Sequence, residues 1–168
     1  MQIFYCDDKI LDLEKTENFK HLIKYLEAEA PLSEENFSAQ IAYSWYLYCE
    51  GDFINQHVSD EWKFYKNKWI EKIRVAINKY QDYPKISLIA AYSLEISGMD
   101  IKDLTDYEET AKKFYELSRK KSEDKNLIKL IDFLSSHRKV HLEENVIKNL
   151  FPNDTLVDKY FSEVLLKT

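Results

Sequence analysis

The chain contains very few of the residues that interrupt helices. Only two of its 168 residues are glycine and only three are proline, far below the average usage of either residue. Strand-rich domains need both in their turns, so this scarcity favours helices joined by short loops. Because Gly51 and Gly98 stand far apart, the chain cannot form a glycine-rich phosphate-binding loop of the GxGxxG or GxxxxGK type.

Motifs of catalysis and metal binding are also missing. The sequence has no HExxH and no GxSxG, which excludes the common zinc-protease and α/β-hydrolase signatures. None of the four histidines follows a glutamate at the Glu-x-x-His spacing of di-iron bundles. We therefore expect no catalytic residues, no cofactor and no metal, and we predict that the protein is not an enzyme.

Cysteine is scarce as well, with Cys6 and Cys49 far apart and no CxxC pair. Two reduced, buried thiols are the simplest interpretation and are usual in the cytoplasm; a disulfide or a reactive thiol is the alternative. The N-terminus has no basic region followed by a long apolar run, so no targeting signal is recognisable. The longest uncharged stretch, residues 36–49, falls short of the ~20 residues that cross a bilayer. We expect a cytoplasmic protein without membrane contact.

One pair of histidines offers the nearest approach to a metal site. His137, His141 and Glu144 follow one another at steps of four and three. On a continuous helix they would share a face and could hold Zn²⁺. The alternative is a loop between two helices, with both histidines exposed beside Arg138 and Lys139, and we adopt that interpretation.

Amphipathic helical periodicity extends along nearly the whole chain. Apolar residues recur at steps of three and four in one segment after another, which is the pattern of helices with one buried face. The sequence therefore predicts an all-α fold of about seven or eight antiparallel helices in one domain, residues 1–168. The predicted helices span residues 17–30, 34–50, 59–80, 84–97, 106–120, 123–136, 140–150 and 154 onward.

The longest predicted helix, residues 59–80, carries the clearest apolar stripe. Ser59 or Asp60 is placed to cap its first turn, and two of the three tryptophans lie on the stripe. We expect this helix to form the centre of the core. The stripe consists of Trp62, Tyr65, Trp69, Ile73, Ile77 and Tyr80.

Two segments of the chain match each other at an offset of 47 residues. They are residues 41–54 and 88–101, each with a helix that ends near a glycine. That period and arrangement resemble helical-pair solenoids of the HEAT or armadillo type, which implies stacked pairs of helices. An irregular helical bundle is the alternative, because ordinary antiparallel hairpins give the same pattern.

Charge is unevenly distributed along the sequence. The net charge is −6, but residues 1–61 contain 13 acids and 4 bases, a net of −9, whereas residues 62–168 contain 17 acids and 20 bases, a net of +3. An acidic surface keeps a protein soluble, and it also attracts a basic partner. The basic run at residues 119–121 does not predict nucleic-acid binding, because the overall charge repels a duplex and only three of the 24 basic residues are arginine.

The small size, the acidity and the lack of catalytic motifs resemble the immunity proteins that neutralise bacterial toxins. The resemblance implies a non-catalytic domain that binds a basic toxin, such as a nuclease, and blocks its active site. Acids would then mimic the phosphate backbone, and aromatic side chains would supply buried area. The candidate binding residues are eight acids of the first third of the chain and three tyrosines beside them: Glu27, Glu29, Glu34, Glu35, Glu50, Asp52, Asp60, Glu61, Tyr43, Tyr46 and Tyr48.

A helical-repeat adaptor or regulatory scaffold that binds a peptide or protein is the alternative function. An immunity protein is expected to bind one partner tightly, with an association rate that falls steeply as salt rises. An adaptor is expected to bind peptides in a groove, more weakly and with tolerance of salt. Both functions require a protein partner, and neither requires a small-molecule cofactor.

Overall fold

The structure is a computed structural model that describes residues 1–54 and 61–167, with side chains described as far as Cys49 and again from Glu61. This part of the chain contains helices and no strand, which confirms the all-α fold. It holds nine α-helices, one more than the largest number predicted, because the segment after Asp7 is a full helix. They are α1 (Asp8–Lys15), α2 (Phe19–Ala28), α3 (Glu34–Ile54), α4 (Trp62–Lys79), α5 (Pro84–Ser97), α6 (Tyr107–Lys121), α7 (Lys125–Ser135), α8 (Glu144–Leu150) and α9 (Leu156–Leu166), with a 3-10 turn at Gly98–Asp100.

Local sequence sets several of the helix starts. Asp7 caps α1 by accepting a hydrogen bond from the backbone N–H of Ile10 at 3.0 Å. Ser33 accepts one from the backbone N–H of Asn36 at the start of α3, also at 3.0 Å. Short polar side chains satisfy free amides of the first turn in this way. Pro84 occupies the first position of α5, where a residue without an N–H loses no helical bond.

Helix α3 is longer than the sequence suggested. The predicted helix ended at Glu50, but α3 continues through Gly51 to Ile54. Glycine is a poor helix former, yet a single glycine does not by itself end a helix. The caps predicted for the next helix, Ser59 and Asp60, lie outside the described residues, and α4 begins at Trp62.

Helices α3 and α5 form the centre of the molecule, which corrects the prediction for residues 59–80. α3 packs against α2, α4, α5 and α9, and α5 packs against α3, α4, α6 and α7. Ten consecutive residues of α5, from Lys85 to Leu94, are buried, whereas α4 buries one stripe and leaves its other side in solvent. A helix that is apolar all round belongs at the centre of a core, and an amphipathic helix belongs at its edge.

Two buried tryptophans fasten α3 and α4 to α5. The indole N–H of Trp45 on α3 donates to Ser97 Oγ at 3.0 Å, and that of Trp69 on α4 donates to Ser93 Oγ at 3.1 Å. A buried indole N–H requires such an acceptor. The bond from Trp69 fixes which side of α4 faces the core, and the opposite side lines a surface groove.

The N-terminal segment packs against the C-terminal part of the chain. Ile3 and Phe4 are fully buried. The backbone N–H of Ile3 donates to the carbonyl of Leu150 at 3.1 Å, and the Phe4 ring packs on Phe151 and Phe161 with centroid separations of 5.8 and 5.4 Å. One connected apolar cluster extends from this segment through to α9. Among the described helices, none combines the length and the apolar character that crossing a membrane requires.

Candidate partner-binding groove

The acids predicted to bind a partner are largely engaged within the chain. Glu27 on α2 forms ion pairs with Lys68 at 2.9 Å and with Lys72 at 2.8 Å, both on α4. Burial alone would raise the pKa of Glu27, but the two ammonium groups hold that pKa below its ordinary value. Glu27 therefore ties α2 to α4 and is not a free surface carboxylate.

Glu34 and Glu35 begin α3 and bind the start of α5. Glu34 Oε1 accepts a hydrogen bond from the backbone N–H of Lys85 at 2.6 Å, and the Glu35 carboxylate pairs with the Lys85 ammonium. Burial raises the pKa of Glu34. Burial also acts on Glu35, but there the bond from Lys85 outweighs it and the pKa is lowered. Both acids link α3 to α5, so their carboxylates are engaged within the chain.

Glu61 is also engaged within the chain, whereas Glu29 faces solvent. Glu61 lies 2.7 Å from the Lys20 ammonium and accepts a hydrogen bond from the Tyr65 hydroxyl at 2.9 Å. Glu29, at the end of α2, is exposed. Three further predicted acids have side chains outside the described part of the chain: Glu50, Asp52 and Asp60.

The three predicted tyrosines occupy three different environments. Tyr43 is 0% exposed, and its hydroxyl donates to Glu14 Oε1 at 2.5 Å. Its position in the core corrects the expectation of a surface anchor, because α3 is surrounded by other helices at that point. Tyr46 is half-buried and packs on the Tyr160 ring at 5.0 Å. Tyr48 belongs to a stack of rings that reaches the surface.

The stack joins a buried tryptophan to an exposed one through Tyr48. The Tyr48 ring lies 5.9 Å from Trp69 at an interplanar angle of 20° and 6.4 Å from Trp62 at 29°. The Tyr48 hydroxyl donates to Asp100 Oδ2 at 2.6 Å, and burial together with this bond raises the pKa of Tyr48. Trp69 is 0% exposed and Trp62 is 42% exposed. The outer indole is therefore held in place from within the core while one part of it faces solvent.

Trp62 is also the first residue along one wall of a surface groove of about 710 Å³. The wall is formed by α4 as far as Val75, and the loop after the 3-10 turn forms the other side. Residues from both walls contribute charged groups around an apolar strip that contains Ile70. The lining residues are Trp62, Lys63, Lys66, Asn67, Ile70, Glu71, Arg74, Val75, Asp100, Lys102 and Asp103.

Ammonium groups surround the aromatic end of the groove. Lys66 Nζ lies 5.5 Å from the centroid of the Tyr48 ring and 5.9 Å from that of Trp62, and Lys63 Nζ lies 5.7 Å from the Trp62 ring. Cations are attracted to the face of an aromatic ring in this geometry. The groove thus combines an exposed indole with positive charge at its rim.

Sequence reasoning placed Trp62 in the core and missed the groove. The apolar stripe of α4 includes Trp62, but this residue starts the helix and lies where the stripe leaves the core. The sequence contained one indication of a basic surface on this helix. Residues 62–79 hold six basic residues and one acid, within a protein of net charge −6. Tyr48 is one of the predicted binding residues, and its ring contacts Trp62 of the groove. It was predicted because it lies beside acids in the sequence, whereas it contacts the groove by stacking on Trp62.

The histidines considered for zinc do not lie on a helix. His137 and Arg138 have φ angles of 53° and 65°, and α8 begins only at Glu144. His137 Nδ1 lies 3.5 Å from Glu95 Oε1, while His141 is exposed in the loop that follows. Within residues 1–54 and 61–167, no group of three or more His, Cys, Asp or Glu side chains is arranged to hold a metal ion.

No protein-family model matches the chain, and neither curated proteins nor solved structures provide a match.

Proposed function

We propose that the protein is a non-catalytic protein-binding domain that engages its partner through the α4 groove. The observation that carries this proposal is the exposed Trp62 stacked on the Tyr48–Trp69 pair. Tryptophan, tyrosine and arginine dominate the residues that contribute most to binding energy at protein interfaces. A site of this kind fits a helical adaptor or scaffold better than it fits an acidic inhibitor.

Support for a binding role comes from the contacts that anchor the outer indole. An exposed aromatic side chain normally loses rotamer freedom when a partner covers it, and that loss weakens binding. Tyr48 is itself fixed by its bond to Asp100 and by its contact with buried Trp69. Trp62 therefore stacks on a ring that is anchored to the core, and such a contact favours a defined orientation for binding.

We further propose that α3–α4 and α5–α6 are two helical pairs of the repeat type. Each pair consists of helices that pack on each other, and α3 packs on α5. Trp45 and Tyr92 occupy equivalent positions in the 47-residue alignment, and their rings touch edge to face at 5.6 Å. Contact between equivalent residues is expected where successive repeats stack.

A site-specific crosslinking experiment tests the binding function. A photo-crosslinking amino acid replaces Asn67, an exposed residue of the groove, and in a matched control it replaces Asn149, an exposed asparagine on α8. In cells of the source organism, we expect a discrete crosslinked protein from position 67 that is absent from position 149. The same band should disappear in a Trp62→Ala background that retains the wild-type circular dichroism spectrum.

Two results would contradict the proposal. Crosslinking from position 67 could yield no protein, or it could yield the same products as position 149. Either result would mean that the groove is an ordinary part of the surface.

A toxin-neutralising immunity protein is the second candidate function. Its support is the excess of 9 negative charges in residues 1–61, together with acids of that region that remain exposed. They are Asp8, Asp12, Glu17 and Glu29. Glu27, Glu35 and Glu61 contribute little to such a face, because lysines of the same chain pair with them, and Glu34 is bound to the backbone N–H of Lys85. The basic partner would have to bind the α1–α2 side instead.

The genomic neighbourhood and a charge reversal test the immunity function. A toxin gene beside this gene would supply the partner. We expect the association rate of that toxin to fall at least about tenfold for Asp8→Lys/Glu29→Lys, since exposed charges mainly steer encounter. Glu116→Lys, at an exposed acid on α6, is the control. Equal rates for both variants would reject an acidic binding face on α1–α2.

A further inference from the structure

We infer that the groove binds an acidic, extended segment of a partner protein, in which carboxylates flank an apolar side chain. This inference rests on the proposed binding function and specifies the chemistry of the partner. It reverses the expectation of a basic partner, because the lining of the groove has four basic residues against three acids in a protein of net charge −6.

The charge that remains available in the groove is positive. Arg74 is held by a bidentate bond to Asp103, at 2.7 and 2.8 Å, so these two groups neutralise each other. Glu71 is paired with Lys68 at 3.6 Å and with Lys72 at 3.2 Å. Two of the three acids of the lining, Glu71 and Asp103, are thereby occupied by bases of the same chain.

Three lysines of the lining have no such pairing among the described residues. They are Lys63, Lys66 and Lys102, set against the single carboxylate of Asp100, which accepts the Tyr48 hydroxyl. Lys63 and Lys66 stand on α4 around Trp62, and Lys102 stands on the opposite wall. A segment lying in the groove would therefore meet ammonium groups from both sides.

The length of the groove suits a short extended peptide. The α4 wall extends from Trp62 to Val75, and a helix rises 1.5 Å per residue, so this wall is about 20 Å long. An extended chain advances about 3.3 Å per residue, so about six residues span that distance. Ile70 would contact an apolar side chain near the middle, while Trp62 would cover one end and Val75 would lie at the other.

The overall charge of the protein favours a peptide over a nucleic acid. A long polyanion approaching this protein senses the net charge of −6 and is repelled. A segment of about six residues that lies within the groove is governed by charges inside about one Debye length, about 8 Å at physiological salt. At that range Lys63, Lys66 and Lys102, which form no ion pair among the described residues, are the nearest charges.

The inference is tested by the protection of Trp62 from a soluble quencher. Trp45 and Trp69 are 1% and 0% exposed, so acrylamide reaches mainly Trp62, and Trp62→Phe should remove most of the quenchable fluorescence. The probes are a blocked peptide of alternating glutamates and phenylalanines, about six residues long, and its counterpart with lysine in place of glutamate. We expect the acidic peptide to protect Trp62, less so as salt rises, and the basic peptide to give no protection.

Charge reversal on α4 provides the matched variants. Lys63→Glu/Lys66→Glu should weaken binding of the acidic peptide by about tenfold or more. The variant is expected to fold, because neither side chain is buried and Lys63 lies in the first turn of α4, where acids are favourable. Lys9→Glu/Lys24→Glu, at exposed lysines of α1 and α2, should leave peptide binding unchanged.

Each remaining outcome decides a different point. Equal or stronger protection by the basic peptide would overturn the inference. So would failure of both peptides while position 67 still crosslinks a cellular protein, but the proposed binding function would then stand. A single-stranded oligothymidylate could protect Trp62 at lower concentration than the acidic peptide. That result would overturn both the inference and the proposed protein-binding function, in favour of a nucleic-acid ligand.

Discussion

At the residue scale, several tyrosines and threonines serve as internal partners for buried acids. Asp7 accepts the hydroxyls of Tyr5, at 2.8 Å, and of Tyr25. Asp158 on α9 is 0% exposed and accepts the Thr155 hydroxyl at 2.6 Å. Such donors reduce the cost of removing a carboxylate from water, although Asp158 Oδ1 is buried without a hydrogen-bond partner among the described residues. The high tyrosine content of the sequence therefore reflects in part the internal structure, and only Tyr48 of the predicted tyrosines leads to the groove.

The ionisation of Asp158 lowers the free energy of unfolding as the pH rises. An acid whose pKa is lowered by an ion pair, such as Glu27, has the opposite effect. Burial raises the pKa of Asp158 from 3.8 to about 6, an effect that the hydrogen bond from Thr155 only partly offsets. The folded protein thus holds this proton more tightly than the unfolded chain does. Its contribution to stability is fully present below pH 3.8 and is lost as the pH rises through about 6.

We predict that Asp158→Asn raises the free energy of unfolding near neutral pH by about 2 kcal/mol, since it removes a buried negative charge. The gain should shrink toward zero near pH 4, where the wild-type carboxyl is protonated. Urea denaturation at both pH values measures it. Asp154→Asn, at a side chain that is 92% exposed, should change neither value. A gain of equal size at both pH values would contradict the charge explanation.

Gly98 is required for packing, although its backbone is not unusual. Its φ of −60° is available to any residue, but an added Cβ would lie 2.5–2.7 Å from three atoms of Tyr107. We predict that Gly98→Ala lowers the free energy of unfolding by about 1–3 kcal/mol, because the α5–α6 connection must shift. Thermal or urea unfolding measures the loss. Met99→Ala, at the exposed neighbouring residue, should have little effect, and equal losses in both variants would reject the steric explanation.

At the element scale, two helices end in a left-handed turn without the glycine that usually forms it. At the end of α7 the backbone N–H of Arg138 donates to the carbonyl of Phe133 at 2.9 Å, and that of His137 donates to Leu134 at 3.1 Å. This pair of bonds is a Schellman motif. The end of α1 has the same arrangement, with Glu17 at a φ of 55°. The scarcity of glycine has left non-glycine residues at strained positions.

We predict that His137→Gly raises the free energy of unfolding by about 1 kcal/mol, because glycine adopts a positive φ without the steric penalty of a side chain. His141→Gly provides the matched control, since His141 is exposed in the same loop and has no positive φ. It should leave stability unchanged or lower it slightly. Chemical denaturation of both variants measures their free energies of unfolding. If both substitutions stabilised the protein, the positive φ of His137 would not be the reason for the gain.

Helix capping shows how far local sequence determines an element. Asp124 caps α7, with bonds from the backbone N–H groups of Asn126 and Leu127 at 2.8 and 2.9 Å. The sequence predicted a start at residue 123, whereas the helix begins at Lys125. Packing of α7 against α6 and α8 selects the register. The existence of a helix is thus encoded locally, while its first residue depends on its neighbours.

At the scale of the whole molecule, the position of a helix follows from the number of its apolar faces. α5 is buried on all sides and contacts four other helices, whereas α4 is buried along one stripe. The sequence predicted α4 as the centre because a clear stripe is easier to recognise than an evenly apolar segment. The contrast between the stripe and its polar opposite side is evidence for a peripheral position.

We predict that native-state amide hydrogen exchange will be slowest in α3 and α5. Exchange from a central helix requires opening of the core, whereas peripheral elements open locally at lower free energy. Backbone amides of residues 86–94 should exchange more slowly than those of the exposed side of α4, and the short helix α8 (Glu144–Leu150) should exchange faster still. Mass spectrometry of peptide fragments measures this. Slower exchange in α4 than in α5 would instead support the prediction from the sequence that α4 forms the centre of the core.

The candidate site was less predictable than the fold, for a physical reason that particular residues make clear. Glu27 looks like a surface acid in the sequence, and only the approach of α4 brings Lys68 to it across 41 residues. Tyr43 and Tyr48 are both aromatic residues of α3, yet one is sealed in the core and the other supports an exposed indole. The sequence alone contains no difference between them that would reveal this.

The sequence by itself determined that the chain is helical, where most of the helices lie and which catalytic and phosphate-binding motifs it lacks. Those properties depend on residue identity and on spacings of three or four residues, which are local. Only the tertiary structure decided which helices are central, which acids are neutralised and which tryptophan faces solvent. These depend on contacts between distant residues, such as the bond from Trp45 to Ser97 across 52 residues, and such contacts leave no periodic signal in the chain.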